Sequence, residues 1–171
     1  MKKSRRKFIK NTVSASTATF LAPSIISASV FGANDRINAV VLGVNGRGKN
    51  HISSLMKQKN VHVTKLCDPD RNLLLKRQRE FKNKYNKDVS LEQDLRKVMD
   101  DKDIDVVSIA SPNHWHALSV IWACQAGKDV YVEKPGSHNI FEGRKMVEAA
   151  QKYDRIVQHG VQLRSSPAIN E

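Results

Sequence analysis

The chain has 171 residues, 40% of them hydrophobic and 27% charged, with 29 Lys and Arg against 17 Asp and Glu for a net charge of +12. That length suits one domain rather than two, and the composition is ordinary globular material, neither a disordered tail nor a multispan membrane protein. Two cysteines are too few for a disulfide scaffold. Half of the positive excess sits in residues 1–10, which hold six cations and no acid. The rest is scattered, without a basic stripe of interleaved aromatics, so nucleic acid is not an expected partner.

Residues 11–33 carry no charge, and eight of those 23 are Ser or Thr. Pro23 interrupts the run, which is too polar for a spanning helix. A basic start, a short apolar middle and small residues near Ser27-Ala28-Ser29 fit an export signal with its cleavage region. Ser4-Arg5-Arg6-Lys7-Phe8-Ile9-Lys10 resembles the twin-arginine signal. That resemblance implies passage through the twin-arginine translocase in a folded state and a periplasmic or otherwise exported protein. The alternative is a basic arm followed by an uncleaved anchor. Residues 1–33 are therefore read as a signal, 34–160 as a folded domain and 161–171 as a connection onward.

From Arg36 the pattern alternates. Arg36 to Leu42 is a short β-branched run ending at Gly43, the mark of a buried strand. A glycine turn follows, then a helix in which Ile52, Leu55 and Met56 keep helical spacing. Val61–Cys67 reads as a second strand, and Asp68-Pro69-Asp70 as a turn into a charged helix over 70–86, with Leu74, Phe81 and Tyr85 inward. Leu91, Leu95, Val98 and Met99 form one apolar stripe on a short helix. Ile104–Ala110 is a third strand, followed by a helix from Asn113, capped by that residue, to Gln125, with Gly127 as its stop. Asp129–Glu133 is a fourth strand. Ile140–Tyr153 is a helix with Phe141, Met146, Val147 and Ala150 inward, and Arg155–Gln158 begins a fifth strand. This alternation predicts an α/β fold, a doubly wound parallel sheet, whose ligand binds where the strands end.

The residues just past each strand therefore carry the functional reading. Gly43-Val44-Asn45-Gly46-Arg47-Gly48 follows the dinucleotide pattern G-x-G-x-x-G, except that Asn45 holds the second glycine's place. The N–H groups opening the next helix would hold phosphates; a plain turn is the competing reading. Asp68 lies 20 residues past Gly48 at the second strand's end. A carboxylate there accepts from ribose hydroxyls and repels a 2′-phosphate, favouring NAD over NADP, with nearby Arg71 softening the preference; the alternative is a helix cap. Ser111-Pro112-Asn113-His114-Trp115-His116 ends the third strand, with Asn113, His114 and His116 candidates for the nicotinamide end. Its His-x-His is rejected as a metal site because no third ligand has matching spacing. Glu133-Lys134-Pro135 ends the fourth strand, and an amine beside bound NAD⁺ can shuttle a hydroxyl proton. Cys67 and Cys124 read as core thiols rather than a bridge.

Gly-Val-Asn-Gly-Arg-Gly, Ser-Pro-Asn-His-Trp-His and Val-Glu-Lys-Pro-Gly-Ser-His-Asn-Ile-Phe-Glu-Gly-Arg together resemble the Gfo/Idh/MocA oxidoreductases over about residues 36–165. The resemblance implies a Rossmann domain, the N-terminal half of a two-domain enzyme that moves hydride between NAD(P) and a sugar, polyol or related carbon. It assigns Lys134 to the reacting hydroxyl as the catalytic residue and Glu133 to the nicotinamide ribose. Asn113 and His116 would lie near the cofactor, and Gln158, His159 and Gln162 would border the cleft. The cofactor-binding set is then Gly43, Asn45, Gly46, Arg47, Gly48, Asp68, Ser111, Asn113, His116, Glu133, Lys134 and Gln162. The family's substrate domain would follow Glu171, and family members associate through it, so an isolated fragment is expected to be inactive. Exported relatives include NAD-dependent glycosidases, which oxidise a ring carbon, eliminate the glycosidic bond, add water and return the hydride. A bare dinucleotide-binding module is the non-catalytic alternative.

Overall fold

The computed structural model describes residues 36–165; the expected export signal and its cleavage region lie outside the described residues. The order of elements is β1 (Ile37–Leu42), α1 (Gly46–Leu55), β2 (Val61–Cys67), α2 (Arg71–Tyr85), β3 (Ser90–Glu92), α3 (Leu95–Asp100), β4 (Val106–Ile109), α4 (His116–Gln125), β5 (Asp129–Glu133), α5 (Ile140–Lys152) and β6 (Val157–Gly160). Short 3₁₀ turns precede α4, at Asn113–Trp115, and follow β6, at Gln162–Ser165. All pairings among the six strands are parallel, in the order β3-β2-β1-β4-β5-β6. The chain thus builds outward from β1 in one direction, then returns to β1's other side at β4. This is the doubly wound arrangement, and the β1/β4 boundary is its switch point.

Alternation along β1 explains why the sheet lies in the middle. Val40 and Leu42 pack on one face with Val107, Ile109, Val120 and Val132. Val41 packs on the other with Ile52, Leu66, Leu74 and Phe81. Both faces are covered, so Ala39 to Leu42 are all buried and the strand reads as a continuous apolar run. Among the described residues no helix is long and apolar enough to cross a membrane.

Several boundaries differ from the sequence reading. There are six strands rather than five, because Leu91 belongs to the three-residue β3, which pairs with Lys65–Cys67, and not to the stripe of α3. So short an edge strand has no readable alternation. The last strand begins at Val157 rather than Arg155, since the Ile156 N–H donates to the Asp129 side-chain Oδ1 and not to a main-chain carbonyl of β5. On α5, Met146 and Ala149 are buried, whereas Phe141 and Val147, expected inward, are exposed. Asn113 does not cap a helix: a 3₁₀ turn occupies 113–115 and Pro112 stands at its cap position. Asn139 does cap, its Oδ1 accepting from Glu142 N at 2.9 Å to start α5.

Candidate functional site

The glycine turn after β1 is fixed by close backbone approach. Gly43 has φ +79°, and a Cβ there would stand 2.7 Å from Ser111 N at the end of β4. A Cβ on Gly48 would lie 1.9 Å from the Gly43 carbonyl oxygen, so α1 can pack onto β1 only with glycine. Gly46 differs: its φ is +28° and no atom lies within 4 Å of its Cβ direction. The Asn45 side chain makes no cap bond to α1. Its Oδ1 instead accepts from Arg77 Nη2 at 3.5 Å, while Arg77 Nε donates to Val44 O at 2.7 Å. The first turn of α1 therefore opens, uncapped by a side chain, toward a cleft.

Asp68 ties that turn to the end of β2. Its Oδ2 accepts from Val44 N and its Oδ1 from Asp70 N, each at 3.0 Å. The helix cap is Asp70, whose side chain accepts from Asn72 and Leu73 N–H, so capping is not the role of Asp68. Asp68, Gly43, Gly46, Arg47, Ser111 and Trp122 line a cleft of about 1180 Å³ at the carboxyl edge of the sheet. Two buried hydroxyls in its wall, Ser111 Oγ and Ser119 Oγ, have no hydrogen-bond partner among the described residues. Buried polar atoms are normally paired, so these two are available to a ligand. Cys67 sits at the same edge, where burial, then the Glu92, Asp68 and Asp94 carboxylates, push its thiol up to about 12. Cys67 and Cys124 are both buried and free.

Beyond β4 the rim is held by side chains. Glu133 ends β5, 5% exposed, and its Oε1 accepts from Arg47 Nε (2.7 Å) and Gln162 Nε2 (2.7 Å) and lies 2.9 Å from His51 Nε2. Burial pushes its carboxyl up, but the hydrogen bonds from His51, Arg47 and Gln162 outweigh it and bring the group down to about 2. Lys134 follows in the exposed loop, its N–H donating to Glu133 Oε2 at 3.3 Å; its ammonium has no hydrogen bond or ion pair among the described residues. His116 is buried, with Nδ1 2.7 Å from Pro135 O and Nε2 2.8 Å from Ser111 O, which ties the Lys134–Pro135 loop to the end of β4. Asn113 Nδ2 lies 3.4 Å from His138 Nδ1 on the same loop. His114 is exposed, and among the described residues no three metal-ligating side chains gather.

The candidates thus converge on one edge in two groups. Gly43, Asn45, Gly46, Asp68 and Ser111 surround the cleft, with Gly48 buried behind the turn against the Gly43 carbonyl. Asn113, His116, Glu133, Lys134 and Gln162 form the neighbouring rim, and Arg47 joins the two, lining the cleft while bonding Glu133. Three contributors escaped the sequence reading. Arg77 and His51 sit on helix faces with the spacing of ordinary core positions, and the hydroxyl of Ser108 lies inside an apolar strand. His51 meets Ser108 and Glu133, and Arg77 meets Val44 and Asn45, pairings that tertiary structure alone sets.

A glycine crossing that admits no side chain, an uncapped helix start, a carboxylate at the end of β2 and two orphaned hydroxyls together fit a dinucleotide. Residues 37–161 match the family model described as an oxidoreductase family with an NAD-binding Rossmann fold. The chain belongs to the Gfo/Idh/MocA oxidoreductase family. It is 28% identical over 172 aligned positions to glycosyl hydrolase family 109 protein 2 of Shewanella sp. (strain ANA-3), covering 88% of this chain and 38% of that protein. It is 32% identical over 126 positions to the inositol 2-dehydrogenase/D-chiro-inositol 3-dehydrogenase of Shouchella clausii, covering 72% and 35%. The crystal structure of an NAD binding oxidoreductase from Klebsiella pneumoniae superposes with TM-score 0.71 at 26% identity, covering 79% of this chain and 37% of that one. The chain accordingly spans well under half the length of the relatives it matches.

Proposed function

We propose that this chain is the nucleotide-binding part of an exported, NAD-dependent oxidoreductase that acts on a sugar, polyol or glycoside. The carrying observation is the convergence of the Gly43 turn, the Asp68 carboxylate and the Glu133-Lys134 step on one sheet edge. The N–H groups at the start of α1 and the Arg47 guanidinium bind the pyrophosphate. Asp68 keeps lone pairs beyond the two backbone donors it accepts, and these serve the adenosine ribose; its charge disfavours a 2′-phosphate. The bound nicotinamide supplies hydride acceptance and return. Lys134, whose side-chain nitrogen has no partner among the described residues, takes the proton of the substrate hydroxyl as the neutral amine, becoming an ammonium as the carbon is oxidised, and returns the proton in reverse. Export through the twin-arginine route rests on Ser4-Arg5-Arg6-Lys7-Phe8 alone.

A second reading is favoured by the glycosyl hydrolase family 109 relative, which aligns with 88% of this chain. On it the same hydride transfer is transient, and the lasting change is cleavage of a glycosidic bond. The test is to supply the protein containing this chain with NAD⁺ and an aryl glycoside or free sugar. Stoichiometric NADH supports the dehydrogenase, aglycone release without net NADH supports the glycosidase, and neither product refutes both. Lys134→Ala is expected to lower turnover by at least about a hundredfold while NADH binding persists.

A further inference from the structure

We propose that His51 is a positioning residue for the cofactor: with Ser108 behind it, it holds the Glu133 carboxylate so that Oε2 accepts a hydrogen bond from the vicinal diol of the nicotinamide-side ribose. This rests on the dinucleotide reading above and specifies how the distal half of that ligand is gripped.

The geometry is a three-member chain that crosses the sheet's edge. His51, on α1, is buried; its Nδ1 is 2.8 Å from Ser108 Oγ on β4 and its Nε2 is 2.9 Å from Glu133 Oε1 on β5. A carboxylate only accepts, so Nε2 carries a proton toward Glu133, and Nδ1 is held by the Ser108 hydroxyl. The edge-on Tyr131 ring, 5.3 Å away and inclined 79°, fixes the imidazole plane. Arg47 and Gln162 also bond Oε1, which leaves that oxygen with three donors. Oε2 has only the long contact from Lys134 N, 3.3 Å, and is the oxygen with capacity to spare. A carboxylate pinned through one oxygen and open at the other is a ready acceptor for a hydroxyl, placed one residue before the proposed proton carrier Lys134.

The test compares ADP with ADP-ribose by titration calorimetry on the 171-residue chain, since the two ligands differ by the distal ribose. The wild type is expected to bind ADP-ribose about tenfold more tightly than ADP, as a hydrogen bond to a charged group provides. His51→Gln keeps a donor near the Nε2 position and retains that gain. His51→Asn, equally polar but with its amide nitrogen near the Nδ1 position, loses it, while ADP affinity stays unchanged in both. Ser108→Ala, which leaves the imidazole in place, loses part of it. If Asn and Gln at position 51 behave alike, or ADP and ADP-ribose weaken together, His51 is structural only and the inference fails. Equal wild-type affinity for the two ligands also overturns it, with the dinucleotide reading intact; binding of neither overturns both.

Discussion

The two wings of the sheet's carboxyl edge are built on different principles. On the β1–β2 side the site is backbone: a glycine crossing, uncapped N–H groups and one carboxylate held by two main-chain donors. On the β4–β5–β6 side it is a side-chain network, in which one buried glutamate gathers Arg47, His51 and Gln162. At Gly43 and Gly48 the first wing has no room for an added atom, whereas the second depends on the partners of Glu133. A binding edge can thus combine a rigid phosphate-holding half with a half whose geometry is set by side-chain charge.

The contrast is broken most forcefully in the backbone wing. Gly48→Ala would place a methyl 1.9 Å from the Gly43 carbonyl oxygen. It is expected to lose about 3 kcal/mol or more of stability, measured by urea unfolding, because neither backbone segment can retreat. In the side-chain wing, the Glu133 carboxyl stands at about 2 in the folded chain against an ordinary 4.5. A lowered folded value means its stabilisation is complete above about pH 4.5 and disappears as pH falls toward 2. The contribution reaches up to about 3 kcal/mol. Glu133→Gln should therefore be destabilised near neutrality, with the gap to wild type closing in acid; a gap independent of pH contradicts the network.

A smaller effect separates the wings by ligand. Asp68→Asn removes the charge that meets the adenosine ribose and should shift the NADPH-to-NADH affinity ratio upward by roughly tenfold, whereas Glu133→Gln should leave that ratio unchanged. The smallest concerns Cys67 at the cleft edge, whose thiol is pushed up to about 12. Thiolate is the reactive form, so a disulfide reagent at pH 8 should leave Cys67 unmodified until the chain is unfolded.

The same contrast explains what could be read from the sequence. The backbone wing depends on local chain order, since Gly43, Gly46, Gly48 and Asp68 have their spacing because a strand, a turn and a helix have fixed rises. Strand and helix alternation was legible for that reason, and with it the fold. In the side-chain wing, position just past a strand picked out Asn113, His116, Glu133 and Lys134, and the family resemblance added Gln162. His51 meets Ser108 across 57 residues and Glu133 across 82, and Arg77 meets Val44 across 33, and no local periodicity encodes such distances. Phe141 and Val147 misled for the converse reason. Their helical spacing resembles a core face, yet that face of α5 has no cover among the described residues.

The central claim is that this edge receives a nicotinamide dinucleotide. Trp115 and Trp122, the chain's two tryptophans, both line the cleft. Titrating the chain with NADH while exciting tryptophan should give saturable quenching with matching sensitised nicotinamide emission, both reversed by excess ADP-ribose. Tryptophan emission that does not change with NADH, in a chain shown by circular dichroism to be folded, would contradict the account.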